Sequence, residues 1–173
     1  MDFFEVIEKR RSIRKYEQRP IEEEKIEKLI EAALRSPSSR GLQPWGLVVV
    51  TNRDTIVRLS QAKEHGASFL AEAPLAMVVY ADEEKCDVWV EDASIACTMI
   101  SLASEALHLG SCWVQIRRRK DGKGQCAEEN VRTILDLPAG MRVEAIIAIG
   151  YPDEHKPAHR KEELEFSKVS RNG

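Results

Sequence analysis

No apolar run in these 173 residues is long enough to cross a bilayer. The opening MDFFEVIEKR is acidic and amphipathic, unlike a leader with a basic end and an apolar centre. The G-x-x-x-x-G-K-[ST] phosphate loop, the dinucleotide G-x-G-x-x-G and the G-x-S-x-G nucleophile elbow are all missing. The glycine-rich turn at residues 122–125 has the wrong spacing for any of them. A P-loop NTPase, a resident Rossmann domain and an α/β-hydrolase are thereby excluded. The cysteines, Cys86, Cys97, Cys112 and Cys126, form no C-x-x-C pair. Cys97 and Cys112 lie in apolar stretches, where a reduced thiol behaves as a small hydrophobe. His155 and His159 are four apart, but Pro157 between them disfavours the helix that would align them on zinc. No carboxylate pair stands out among the acids. These readings predict a cytoplasmic protein with reduced thiols, no metal, no membrane partner and no visible hydrolytic residue.

What is present is ordinary in bulk: 43% hydrophobic, 32% charged and a net charge of −3. That balance argues against a general nucleic-acid partner, so any cationic function must be local. The length suits a single domain over residues 1–173 with a substantial core. Phe3, Phe4, Val6 and Ile7 predict a short amphipathic helix. Ile26, Leu29, Ile30 and Ala33 share a face in a second, which starts after a proline with its acids in the first turn. Strands are predicted at WGLVVVTN, APLAMVVYAD, SCWVQIR and VEAIIAIGYP. Between them lie a helix from Asp54 towards His65, a long apolar helix through Ile95 to Leu107, and a short one at AEENVRTILDLP. The long helix is apolar on several sides, as a central or subunit-interface helix would be. The alternation points to a three-layer α/β or α+β architecture. The polar tail, about residues 152–173, has only Leu164, Phe166 and Val169 to dock it, and a second subunit is the obvious surface.

The one concentrated charge is KRRSIRKY, Lys9 to Tyr16. In an extended segment Arg10, Ser12 and Arg14 would share one side, two guanidiniums and a hydroxyl suited to phosphate oxygens. A solvated helix end is the other reading. SPSSRGLQPW, residues 36–45, offers free backbone N–H groups and short hydroxyls, suited to a polar ligand or simply to a loop.

RRSIRKY, SPSSRGLQPW, DASIACTMISLASEALHLGSCWV, AIIAIGYP and KPAHRKEEL, in this order from Phe3 to about Phe166, closely resemble the flavin-dependent nitroreductase family, in particular its short members. The resemblance implies an α+β fold, a three-layer α/β/α sandwich, in an intertwined homodimer that binds FMN at the subunit interface. It implies that Arg10 and Ser12 hold the FMN phosphate and that Arg14 approaches the pyrimidine edge of the ring. Pro37, Ser38 and Ser39 match the loop that reaches across from the partner. Gly150 would pass its backbone close to the flavin, and Arg160 with Lys161 would close on the phosphate. Arg11, Gln43 and Trp113 complete the implied set, with a core role equally open for Trp113. The implied activity passes hydride or electrons from NAD(P)H to a nitroaromatic, a quinone or a similar flat acceptor by a ping-pong mechanism. A flavin-fragmenting or dehalogenating enzyme, and a flavin-binding module without turnover, are the alternatives. Arg40-Gly41-Leu42-Gln43 departs from the family in lacking an asparagine before QPW. The basic loop Arg117 to Lys123 reads either as solvated or as a patch attracting a phosphorylated nicotinamide or an acidic substrate.

Overall fold

The computed structural model describes residues 1–172; Gly173, the last residue of the predicted tail, lies outside them. Four β-branched and apolar runs form strands β1 (Trp45–Val50), β2 (Leu75–Asp82), β3 (Gly110–Gln115) and β4 (Met141–Gly150). They build one sheet in the order β1-β2-β4-β3, with every neighbouring pair antiparallel. The helices are α1 (Phe3–Lys9), α2 (Glu23–Leu34), α3 (Arg53–Ser60), α4 (Trp89–Ala106) and α5 (Ala127–Leu135).

Strand periodicity divides the core in two. Leu75, Met77, Val79 and Ala81 of β2, with Ala145, Ile147 and Ile149 of β4, face α2 and α4. Ala76 and Val78, with Val143, Ile146 and Ala148, face α3 and α5. The result is the expected three-layer α+β sandwich. Along β4 the alternation slips once. Val79 pairs with Ala145 but Tyr80 pairs with Val143, which leaves Glu144 as an extra residue in a β-bulge.

In α2, Ile26, Leu29 and Ala33 lie at helical spacing and are buried against α4 and the sheet. Fully burying a leucine contributes about 1.5–3 kcal/mol, so Leu29 is a main anchor of this layer. The buried side of α4 is Ala93, Ala96, Cys97, Ile100 and Ser104. The small residues let this helix lie close to β2 and β4.

One expectation changes, and two features were not foreseen. α3 stops at Ser60, short of His65. Gly66 turns the chain at φ +72°, and the Glu64 N–H is drawn instead to the Lys120 carbonyl. A single-turn helix at Ser68–Glu72, unforeseen from the sequence, follows. The apolar stripe of α1 does not face this chain's core. Val6 is buried, whereas Phe3, Phe4 and Ile7 are 61%, 79% and 49% exposed, because no element lies over them. Among the described residues no helix is long and apolar enough to cross a membrane.

Candidate functional site

The segment after α1 leaves in an extended path along the sheet's outer edge. Ser12 makes a parallel bridge with Ser111 at the start of β3, and the Ile13 N–H donates to the Ser111 carbonyl at 3.0 Å. Further on, Tyr16 bridges Pro152 and its hydroxyl donates back to the Ile13 carbonyl at 2.6 Å. Burial, reinforced by Cys112, drives the Tyr16 phenol far above its ordinary pKa, so it stays a neutral donor.

Two glycines make room for this segment. Gly110 and Gly150 are cross-strand partners at the end of the sheet. A Cβ on Gly110 would sit 2.8 Å from Ile13 Cβ, and one on Gly150 would sit 2.7 Å from Pro74 Cδ and 2.8 Å from Tyr16 Cδ1. The bare glycine backbone is therefore the seat on which Ile13 and Tyr16 rest. Arg10, Ser12 and Arg14 are placed by it.

Arg10 and Ser12 open onto a cavity of about 320 Å³ between α4 and β3. Thr98, Ser101 and Ser111 add hydroxyls, while Leu102, Cys112 and Trp113 supply an apolar wall. Arg10 is half-buried, and no ion pair among the described residues claims its guanidinium. Glu105 feels its charge, but burial outweighs Arg10, His108 and Lys9 and holds that carboxyl above the ordinary range. Burial likewise raises the Cys112 thiol against the pull of Arg14 and Lys156, which disfavours a thiolate nucleophile. A free guanidinium among hydroxyls, beside an aromatic ring, fits a phosphate joined to a flat ring.

The other sequence-predicted residues lie apart from this cavity. Pro37, Ser38 and Ser39 sit at the N-terminal end of α4, where the Ser39 N–H donates to the buried Asp92 carboxylate at 2.7 Å. Thr98 and Ser101 are six and nine residues further along, about 9–14 Å at the helical rise. The Gln43 N–H donates to Ser38 Oγ at 3.0 Å and closes the loop, in which Arg40, Gly41 and Gln43 all adopt positive φ. Arg14 lies over the Phe69 ring, with 5.6 Å from Cζ to its centre, and its N–H donates to Glu154. Arg11 donates to the Pro157 carbonyl and lines a separate cleft of about 470 Å³ with Lys9, His108 and Lys156. Gly150 is buried beneath Tyr16. Arg160 and Lys161 are exposed, with Arg160 paired to Glu163 at 2.8 Å. One chain thus brings Arg10, Ser12 and Trp113 together and leaves the loop and the tail elsewhere.

Sequence reasoning missed Thr98, Ser101 and Leu102. Their i, i+3, i+4 spacing, two hydroxyls on an otherwise apolar helix, was the available signal. It also missed Asp92, an acid that looked like any other in a first helical turn.

The fold is an α+β sandwich with a phosphate-suited cavity beside its edge strand. Comparison narrows it: the sequence pattern of the nitroreductase family matches residues 7–65 and 55–151. The chain belongs to the nitroreductase family. An FMN-dependent nitroreductase from Clostridium difficile R20291 superposes with a TM-score of 0.94 at 46% identity, covering 97% of this chain and 98% of that one. A Methanothermobacter thermautotrophicus protein, provisionally named as an NADH dehydrogenase/NAD(P)H nitroreductase, is 35% identical over 158 residues, 90% of this chain and 80% of its own. An NADH dehydrogenase from Thermus thermophilus is 32% identical, with 88% of each chain covered.

Proposed function

We propose that this chain is an FMN-dependent oxidoreductase that passes hydride or electrons from NAD(P)H to a nitroaromatic, a quinone or another flat acceptor, the two substrates using one pocket in turn. The observation that carries the reading is the half-buried, unpaired Arg10 guanidinium beside Ser12, Ser111 and the Trp113 wall. Family membership and the FMN-dependent relative at 46% identity support it.

When bound, FMN supplies the hydride and electron chemistry, which accounts for the lack of a visible acid, base or nucleophile. Arg10 and the hydroxyls of Ser12 and Ser111 would hold its phosphate by charge-assisted hydrogen bonds in a partly desolvated site, while the Ser101 hydroxyl already donates to the Cys97 carbonyl at 2.9 Å. Trp113, Leu102 and Cys112 give the cavity a flat apolar side and exclude water from it. Arg14 lies outside this cavity, over Phe69, and would supply a fixed positive charge to a ring that extends beyond it and gains negative charge on reduction.

The working unit in this reading is a homodimer, each chain a single domain whose tail, from about residue 152, packs on the partner. Three features support it. Phe3, Phe4 and Ile7 expose an apolar stripe, and Leu164, Phe166 and Val169 in the tail are 51%, 60% and 64% exposed. The Pro37–Ser39 loop is held away from its own chain's cavity, free to serve another.

The visible spectrum of the purified protein, before and after NADPH or NADH without oxygen, tests the proposal. Yellow protein that bleaches upholds it. Protein that stays yellow points to a binding module without turnover. Flavin breakdown with oxygen as sole acceptor points to the flavin-fragmenting alternative. Colourless protein that cannot be reconstituted with FMN refutes it. A monomeric mass by light scattering, with FMN bound, refutes the dimer.

A further inference from the structure

Trp113, the aromatic wall of the Arg10 cavity, stands at the end of a hydrogen-bonded line that runs into the core. Residues 113 and 115 share a face of β3, and the Trp113 Nε1–H donates to Gln115 Oε1 at 2.8 Å. Gln115 Nε2 in turn donates to Glu144 Oε1 at 3.1 Å, and lies within reach of the Glu144 and Arg117 carbonyls at 3.2 and 3.3 Å. The indole can only donate, and the Arg117 and Glu144 carbonyls behind Gln115 can only accept. The amide therefore has one satisfying orientation; flipped, it would oppose donor to donor.

Glu144 reaches Gln115 because of the bulge in β4, which sets this residue out of the strand's alternation. It is an expensive residue there. The side chain is buried, its Oε2 has no hydrogen-bond partner among the described residues, and Arg117 Nε, 3.9 Å away, has none either. An apolar side chain here would spare the desolvation of the carboxyl but leave Arg117 Nε buried without a counter-charge. Burial holds the Glu144 carboxyl above the ordinary range, opposed by Gln115 and Arg117 and reinforced by Glu128 and Glu91. The carboxyl's one hydrogen bond among the described residues comes from Gln115, which joins it to the line behind Trp113.

We propose that Gln115 and Glu144 are positioning residues that hold the Trp113 indole in one orientation, so that the surface the cavity offers to a flat ring is set from inside the core. The consequence for flavin binding rests on the function proposed above.

The indole N–H signals of the full-length protein, labelled with nitrogen-15, test this. The chain has three tryptophans, and Trp113→Phe assigns the signal that disappears. Gln115→Met should shift the Trp113 signal and speed its hydrogen exchange about tenfold, the scale of one buried neutral hydrogen bond. Glu144→Met should do the same, while Glu144→Gln keeps an acceptor oxygen and should return the signal towards wild type. FMN titration should show Gln115→Met binding roughly five- to tenfold more weakly, with a shifted flavin band. A Trp113 signal that Gln115→Met leaves in place overturns the proposal. So does a signal that moves while FMN affinity and the flavin band stay as in wild type. Wild-type protein that takes up no FMN removes the flavin reading alone; the indole signals, which need no flavin, still decide whether the line holds Trp113.

Discussion

Replacing Gly150 with alanine probes the seat beneath the Arg10–Tyr16 segment directly. The added methyl would lie 2.7 Å from Pro74 Cδ and 2.8 Å from Tyr16 Cδ1. Non-bonded carbons prefer about 3.5–4.0 Å, so the overlap approaches 1 Å on two sides. Neither neighbour is a loose chain end. Pro74 is a rigid ring just before β2, and Tyr16 is buried and tied by its hydroxyl to the Ile13 carbonyl at 2.6 Å. Overpacking of this kind costs about 1–3 kcal/mol, and disturbing the Tyr16 bond adds roughly 1 kcal/mol. We therefore expect Gly150→Ala to lower unfolding stability by about 2–4 kcal/mol, seen in urea as an earlier midpoint at unchanged slope. FMN affinity should fall with it, because a displaced Tyr16 carries Ile13 and Ser12 along. Gly41→Ala is the control: its Cβ meets nothing within 4 Å, so only its φ of +66° is penalised. That should cost about 1 kcal/mol. Gly150→Ala melting within roughly 0.5 kcal/mol of wild type, with FMN affinity intact, would refute a tight seat.

Three further outcomes are expected. Arg10→Ala should weaken FMN binding by about 1.5–3 kcal/mol, the scale of a hydrogen bond to a charged group; equal affinity in a titration removes Arg10 from the phosphate site. Asp92→Ala should cost about 1–3 kcal/mol, because the Ser39 N–H loses its acceptor, and the Ser39 amide should exchange faster. Unaltered exchange at Ser39 means that Asp92 does not pin the loop. Glu144→Gln should change the pH dependence of stability. The folded protein holds the Glu144 proton more tightly than the unfolded chain does, since burial raises its pKa. Wild-type stability relative to the variant should therefore be greatest below the ordinary glutamate pKa of about 4.3 and fall as pH rises through the raised value. A difference that is flat between pH 4 and 8 contradicts that burial.

Much of the architecture was legible because its cause is local. The i, i+3, i+7 pattern of Ile26, Leu29 and Ala33 and the β-branched runs of β1, β2 and β4 depend only on neighbours along the chain. The end of α3 was not legible. Gln61 and Ala62 fall into tighter i−3 bonds, and the Glu64 N–H goes to Lys120, more than fifty residues later in sequence. The stripe on α1 was read correctly as apolar, but periodicity does not say which surface a stripe will meet.

The candidate site divides along the same line. The sequence by itself determined the family, through motifs whose order survives in one dimension, and with it the expectation that Arg10 and Ser12 take a phosphate. It also determined most of the helices and strands. Only the tertiary structure decided that Thr98 and Ser101 share a cavity with Arg10, and that Gly110 and Gly150 form a seat. Asp92 anchoring a loop and Glu144 standing behind Trp113 were decided there too. The reason is physical. A buried charge and an exposed one are the same letter, and what separates them is which distant groups the fold carries within hydrogen-bonding range.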